Sequence, residues 1–183
     1  MSVFTHPASA SAQEAGAYTR ALVELLGDRE PLRVLRGTPA AVRKAVDGLG
    51  DAQLSAPEAE GKWSVRHVVR HLADSELVWS NRLRFVLAHD RPTLVGYDQD
   101  AWAHRLRYHE ADLAHALEEL TVVRRGNLAL LRDLSDEEME RVGIHEERGE
   151  ESLAHMLKLY AGHDLLHLRQ IERIKAVVLD GDG

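Results

Sequence analysis

The chain of 183 residues contains no cysteine. That excludes disulfides, thiolate metal ligands and a protein thiol nucleophile, so any soft-metal or thiol chemistry must use imidazole ligands or a thiol carried in by a substrate. No apolar run approaches the length of a membrane span. The start, Met1-Ser2-Val3-Phe4-Thr5-His6-Pro7, has neither a basic segment nor an apolar signal core, which predicts a cytoplasmic location. Basic residues are in the minority, 23 Lys and Arg against 30 Asp and Glu, for a formal net charge of −7. That balance argues against nucleic acid as the main partner, since phosphate binding wants a concentrated basic surface. Strand-like alternation, internal repeats and low-complexity tracts are missing, as are a P-loop, a dinucleotide fingerprint and a G-x-S-x-G elbow.

What is present reads as helix. The length suits one domain with a sizeable core, and 44% hydrophobic with 29% charged residues suits a soluble globular chain. Residues 1 to about 10 are small and polar and are expected to be disordered. Ala15, Tyr18, Leu22 and Leu25 recur at helical spacing until Gly27-Asp28 ends the run. Pro31 starts a short helix that Gly37 should stop, and Thr38-Pro39 reads as an N-cap and first position of another helix to about Leu49. Residues 50–62 read as a loop. A long helix follows Trp63-Ser64 to about Ala88, with Ser64 as N-cap. Arg91-Pro92 breaks it, and a short helix spans about Ala101 to Arg107. A second long helix runs from about Ala111 to Leu134 through Gly126, and Ser135 with Glu138 forms a capping box. Residues 143–150 read as charged and irregular, Glu146 to Glu151 as a solvated acidic run, and a last long helix spans about Glu151 to Val178. These periods predict an all-α antiparallel four-helix bundle over 31–178 with extra short helices, after a partly helical extension over 1–30 and before a loose tail at 179–183.

Bundles place metal sites between facing helices, and the chain has 11 histidines with which to build one. That abundance lowers the weight of any single pair. Taking about 100° per residue, His167 falls near the middle of the apolar stripe Leu153, Met156, Leu157, Tyr160, Ile171, Ile174 and Val178, with His163 on its flank about 40° away. Imidazoles at i and i+4 can reach one ion. In the helix after Ser64, His71 lies at the edge of the stripe, whereas His67 lies further round and reads as solvated or as a support for the site. His71, His163 and His167 are therefore the candidate metal ligands, with Glu76, Asp164 and Gln170 the candidates for orienting their other ring nitrogens. Glu76 falls on the stripe, where a bare carboxylate is costly, and should meet an Arg, a Tyr or the site. His104, His109, His115 and His155 should face water, and Trp63, Trp79 and Trp102 should be packing or helix-end anchors. Three neutral imidazoles leave positions on an ion open, which is the catalytic style, since structural sites are closed by four protein ligands.

Gly61-Lys62-Trp63-Ser64, His71-Leu72-Ala73-Asp74-Ser75-Glu76, Arg91-Pro92 through Gly96-Tyr97-Asp98, and His163-Asp164-Leu165-Leu166-His167 with Gln170-Ile171 stand in an order and separation that resemble the DinB/YfiT-like superfamily of metalloenzymes. The resemblance covers about Pro31 to Lys175. It implies an up-down-down-up bundle, frequently a homodimer, and a divalent ion such as zinc or nickel on three histidines, which carry over to His71, His163 and His167. Better understood relatives use small thiols such as bacillithiol or mycothiol, others are named hydrolases, and the DinB name records induction by DNA damage. The expectation is thus a metal-dependent thiol S-transferase acting with a small-molecule thiol cosubstrate on a small electrophile. A metal-dependent hydrolase is the alternative. A non-enzymatic, stress-related bundle whose ion only stabilises fold or dimer is the reading from a different class.

Overall fold

A computed structural model describes residues 12–180; the expected disorder over residues 1 to about 10 and the last three residues of the tail lie outside the described residues. Four long helices form the frame: α2 (Pro31–Val46), α4 (Val65–Ala88), α6 (Leu113–Leu131) and α8 (Leu153–Asp180). They are preceded by α1 (Ala12–Leu26) and joined through short helices α3 (Asp51–Ser55), α5 (Gln99–Arg105) and α7 (Asp136–Met139). α2 packs on α6 and α8, and α4 packs on the same two, so α2 and α4 sit on a diagonal. Cross-helix pairs give the directions. Arg70 meets Glu119 and Ser80 meets Asn127, so α4 and α6 run parallel. His71 meets His163 while Trp79 stacks on Tyr160, so α8 runs against α4. Lys175 bonds the Ala45 carbonyl while Arg124 links Leu35 to Asp164, so α2 and α8 are parallel. The bundle is up-down-down-up, with the extra short helices anticipated. No described helix is long and apolar enough to cross a membrane.

The core comes in two apolar clusters. One holds Val42, Val68, Leu72, Leu117, Leu120 and Ile174. The other holds Leu35, Trp79, Leu83, Leu131, Leu153 and Met156. Along α4, α6 and α8 the residues between the clusters are polar: Asp74 to Glu76, Arg124 and Asn127, His163, Asp164 and His167. The bundle is therefore belted at mid-height by buried polar groups, and the candidate site lies in that belt.

Three local expectations are corrected. First, Gly37 and Thr38-Pro39 do not divide two helices. α2 runs unbroken through them, and the Thr38 hydroxyl donates back to the Val34 carbonyl at 3.0 Å instead of capping. An interior proline removes one helical bond and costs about 3 kcal/mol in an isolated helix. The carbonyl left without a helical donor is that of Leu35, and Arg124 Nη1 donates to it at 2.7 Å. Tertiary structure thus fills the gap that local propensity reads as a boundary. Second, residues 50–62 contain α3, where the Gln53 side chain accepts from the Gly50 N–H. Third, residues 143–150 are not irregular. β2 (Val142–His145) pairs antiparallel with β3 (Gly149–Ser152) and parallel with β1 (Thr93–Leu94). Gly149 at φ +81° closes the hairpin after a three-residue loop. A Cβ at Gly143 would lie 2.6 Å from Leu94 Cδ1 and 2.9 Å from Val86 Cγ2, so any side chain there would have to push these two buried residues aside.

α1 lies on α8 through a small cluster of Leu22, Leu159 and Leu166. A Cβ on Gly162 would fall 2.2 Å from the Leu22 carbonyl oxygen, so the two helices touch backbone to backbone. α8 itself continues through residues 179–180, which belong to helix and not to a tail.

Candidate metal centre

His71 of α4 and His163 and His167 of α8 turn inward from facing helices and bring three Nε2 atoms together. His71 Nε2 and His163 Nε2 are 3.2 Å apart, and His163 Nε2 and His167 Nε2 are 3.1 Å apart. Each ring is held by a different neighbour. Trp63 tilts against His71 at 5.0 Å, Tyr160 stacks on His163 at 5.7 Å, and His167 Nδ1 bonds Gln170 Oε1 at 2.7 Å. The carboxamide oxygen can only accept, so His167 carries its proton on Nδ1 and directs a lone pair from Nε2 into the cluster. His67 is not part of the group: its Nδ1 pairs with the Ser64 hydroxyl at 2.8 Å and its ring stacks on His109. His104, His109, His115 and His155 are exposed.

Burial lowers the pKa of all three clustered imidazoles, and the proximity of His167 lowers those of His71 and His163 further; His167 itself falls to about 4. His163 Nε2 lies within hydrogen-bond distance of both other Nε2 atoms but can donate to only one of them, whereas a cation between the rings would take all three lone pairs. Nitrogens held about 2.0–2.1 Å from one tetrahedral ion stand about 3.3 Å apart, close to the spacing found here. The residues fit a divalent ion.

In the metal-free protein, the unfolded chain binds more protons than the folded one between the lowered values and the ordinary pKa near 6.5. Stability from these histidines is therefore complete above about pH 6.5 and is lost as pH falls towards about 4. Melting curves of metal-free protein should show Tm falling across that window. His167→Gln should flatten part of the fall, and a Tm independent of pH there would contradict the assignment.

Of the three candidates for orienting the ligands, only Gln170 touches a histidine nitrogen. Glu76 and Asp164 are claimed by Arg124 instead. Arg124 Nε donates to Glu76 Oε2 at 2.9 Å, and its Nη1 donates to Asp164 Oδ2 at 2.7 Å. Asn127 Nδ2 donates to the other Glu76 oxygen at 2.7 Å. Burial opposes the charge on Arg124, but Asp164 and Glu76 outweigh it and raise its pKa. Burial is the largest influence on Glu76 and raises its pKa despite Arg124. Arg124 also lies over the Tyr160 ring at 5.4 Å. This guanidinium ties all four long helices together directly behind the histidines. Sequence reasoning placed Glu76 inside but not its partner. The signal was there, because Leu117, Leu120, Arg124, Asn127 and Leu131 recur at helical spacing on one face.

His71 and His163 open onto a cavity of about 130 Å³. Trp79, Tyr160 and Met156 give it apolar walls, and Tyr18 and Leu22 of α1 close one side. The hairpin contributes His145, Glu147, Arg148 and Glu151. Glu151 is buried and grips Arg148 through both oxygens, at 2.6 and 2.9 Å, which corrects the reading of this acidic run as solvated. Arg82 and the hydroxyl pair Ser75–Tyr97, 2.7 Å apart, complete the polar lining.

The family model described as DinB superfamily matches residues 35–171. YfiT of Bacillus subtilis is 33% identical over 144 residues, covering 78% of this chain and 81% of YfiT. A protein of Oceanobacillus iheyensis is 31% identical over 142 residues, covering 78% and 82%. Both are named as metal-dependent hydrolases in qualified terms. The solved structure of YfiT, described as "a probable metal-dependent hydrolase with an unusual four-helix bundle topology", superposes with a TM-score of 0.72 at 32% identity over 78% of this chain and 84% of that one. The match spans α2's C-terminal three-quarters through most of α8, and with it the histidine cluster, Arg124 and the hairpin: the chain belongs to the DinB superfamily.

Proposed function

We propose that His71, His163 and His167 hold a divalent ion, zinc or nickel, and that the protein is a metal-dependent enzyme that joins a small thiol to a small electrophile. The observation that carries this reading is the convergence of the His71, His163 and His167 Nε2 atoms, with His71 and His163 in the wall of a cavity, while Glu76 and Asp164 behind them are bound to Arg124. A bound ion supplies Lewis acidity that holds a thiol as its nucleophilic thiolate. Transfer then needs no protein base: the thiol proton leaves to solvent, a carbon–sulfur bond forms, and the leaving group on the electrophile departs with the bonding pair. Gln170 fixes the lone pair of His167 towards the site. Trp79, Tyr160 and Met156 keep water from the reacting end. With no cysteine in the chain, the thiol comes from a cosubstrate.

Hydrolysis is the second reading. The names of the relatives favour it, as does Glu147 in the cavity wall. An ion with a purely stabilising role is the third.

Protein prepared without a histidine tag should carry about one divalent ion per chain, and His163→Ala should lose it. The loaded protein should conjugate bacillithiol, mycothiol or glutathione to 1-chloro-2,4-dinitrobenzene. Ester cleavage without any thiol dependence would favour the hydrolase. An ion whose removal unfolds the protein and which binds no thiol would favour the stabilising role. No ion in the native protein, and none after addition, would sink every metal-based reading.

A further inference from the structure

Two guanidinium groups line the cavity, and they differ in one respect. Arg148 is held by Glu151 through two hydrogen bonds. Arg82 has no carboxylate partner among the described residues. Its Nη2 donates to the Val95 carbonyl, and its Nε is sealed from water with no acceptor. A largely buried cation is costly unless it is paired, and a guanidinium offers five N–H donors in a planar array. Burial, and then the charge of Arg148 close by, work against the protonated form of Arg82. The protein thus holds a cation at the cavity wall, next to a second cation, and satisfies few of its donors. The Ser75 and Tyr97 hydroxyls line the same cavity.

We propose that the cavity takes a substrate bearing a carboxylate, and that Arg82 binds that carboxylate while the other end of the molecule reaches His71, His163 and His167. The guanidinium fork can take both oxygens of a planar carboxylate through two parallel hydrogen bonds. The inference rests on the reading of this cavity as the reacting site, and it makes Arg82 the determinant of substrate class.

The first measurement uses metal-free full-length protein, so it does not depend on the ion. Trp79 lines the cavity, and its fluorescence should respond saturably to succinate. Inorganic phosphate and neutral 1,4-butanediol should bind more weakly. Arg82→Met should weaken succinate binding by about 10- to 100-fold, the range for a lost hydrogen bond to a charged group. Arg82→Lys should fall between, keeping the charge but not the fork. Arg82→Met should also melt no lower than the native protein, because it removes an unpaired buried charge. The proposal is overturned if Arg82→Met binds succinate like the native protein, if butanediol or phosphate binds as well as succinate, or if Arg82→Met loses binding only by losing its fold. The second measurement uses zinc-loaded protein, with mercaptosuccinate against 2-mercaptoethanol. Mercaptosuccinate should bind about tenfold or more tightly, and Arg82→Met should erase that preference while leaving 2-mercaptoethanol unchanged. Succinate binding without any thiol binding would sink the transferase reading and leave the carboxylate site standing.

Discussion

Arg124→Met is expected to leave the chain largely unfolded under conditions where the native protein is fully folded. The Arg124 side chain is 1% exposed, and its partners Glu76 and Asp164 are 0% and 1% exposed. Removing one member of a buried ion pair costs about 3–5 kcal/mol, because the charge left behind is uncompensated. Here one substitution strands two carboxylates, and it also frees the Leu35 carbonyl that Pro39 cannot serve. Whole-protein stability is only about 5–15 kcal/mol. The charge accounting provides a rescue. Adding Glu76→Gln and Asp164→Asn to Arg124→Met removes the stranded charges and should recover much of the loss. Urea denaturation followed by circular dichroism reads both effects. A single Arg124→Met within about 1 kcal/mol of the native protein would show that the pairing does little for the fold.

Gly162→Val is expected to prise α1 from α8. The new Cβ would meet the Leu22 carbonyl at 2.2 Å, a backbone contact that no side-chain rotamer relieves. Overpacking of this kind typically costs about 1–3 kcal/mol. α1 rests chiefly on α8, so the relief should come from α1 moving rather than from the bundle rearranging. Limited proteolysis should then cut within Gly27-Asp28-Arg29, and the cavity should lose the wall formed by Tyr18 and Leu22. Gly126→Ala is the control. Nothing lies within 4 Å of the added methyl, and the change should stabilise α6 by roughly 0.5–1 kcal/mol. Native-like cleavage resistance in Gly162→Val would mean that α1 tolerates the intrusion.

The long helices were legible because burial on one face imposes a period that apolar residues report directly. The same period separated His71 from His67, since one turn of helix carries a definite angle. What escaped shares one cause: a contact from elsewhere in the chain. Pro39 reads as a helix start until Arg124 supplies a donor for the Leu35 carbonyl. Arg124 has no assigned place until Glu76 and Asp164 surround it. Asp164 was expected to orient a histidine, but its carboxylate is bound by Arg124, 40 positions away. The hairpin at 142–152 is short and buries an acidic residue, Glu151, so alternation of apolar and polar residues cannot reveal it. Gly162 has no side chain, and only the position of Leu22 gives it meaning.

The diagonal placement of α2 and α4 bears on how the molecule assembles. In a bundle of successive hairpins each helix can dock on the one just made. Here α4 cannot dock on α2, and its parallel partner α6 is reached only through the intervening connection. The His71–His163 contact spans 92 residues, and the Arg124–Leu35 contact spans 89. Closing such loops loses chain entropy before any contact repays it, which slows folding relative to locally connected bundles. During synthesis the first histidine therefore emerges long before the other two. The ion-binding group exists only once α8 has closed the bundle, which makes arrival of the last helix and completion of the site a single event.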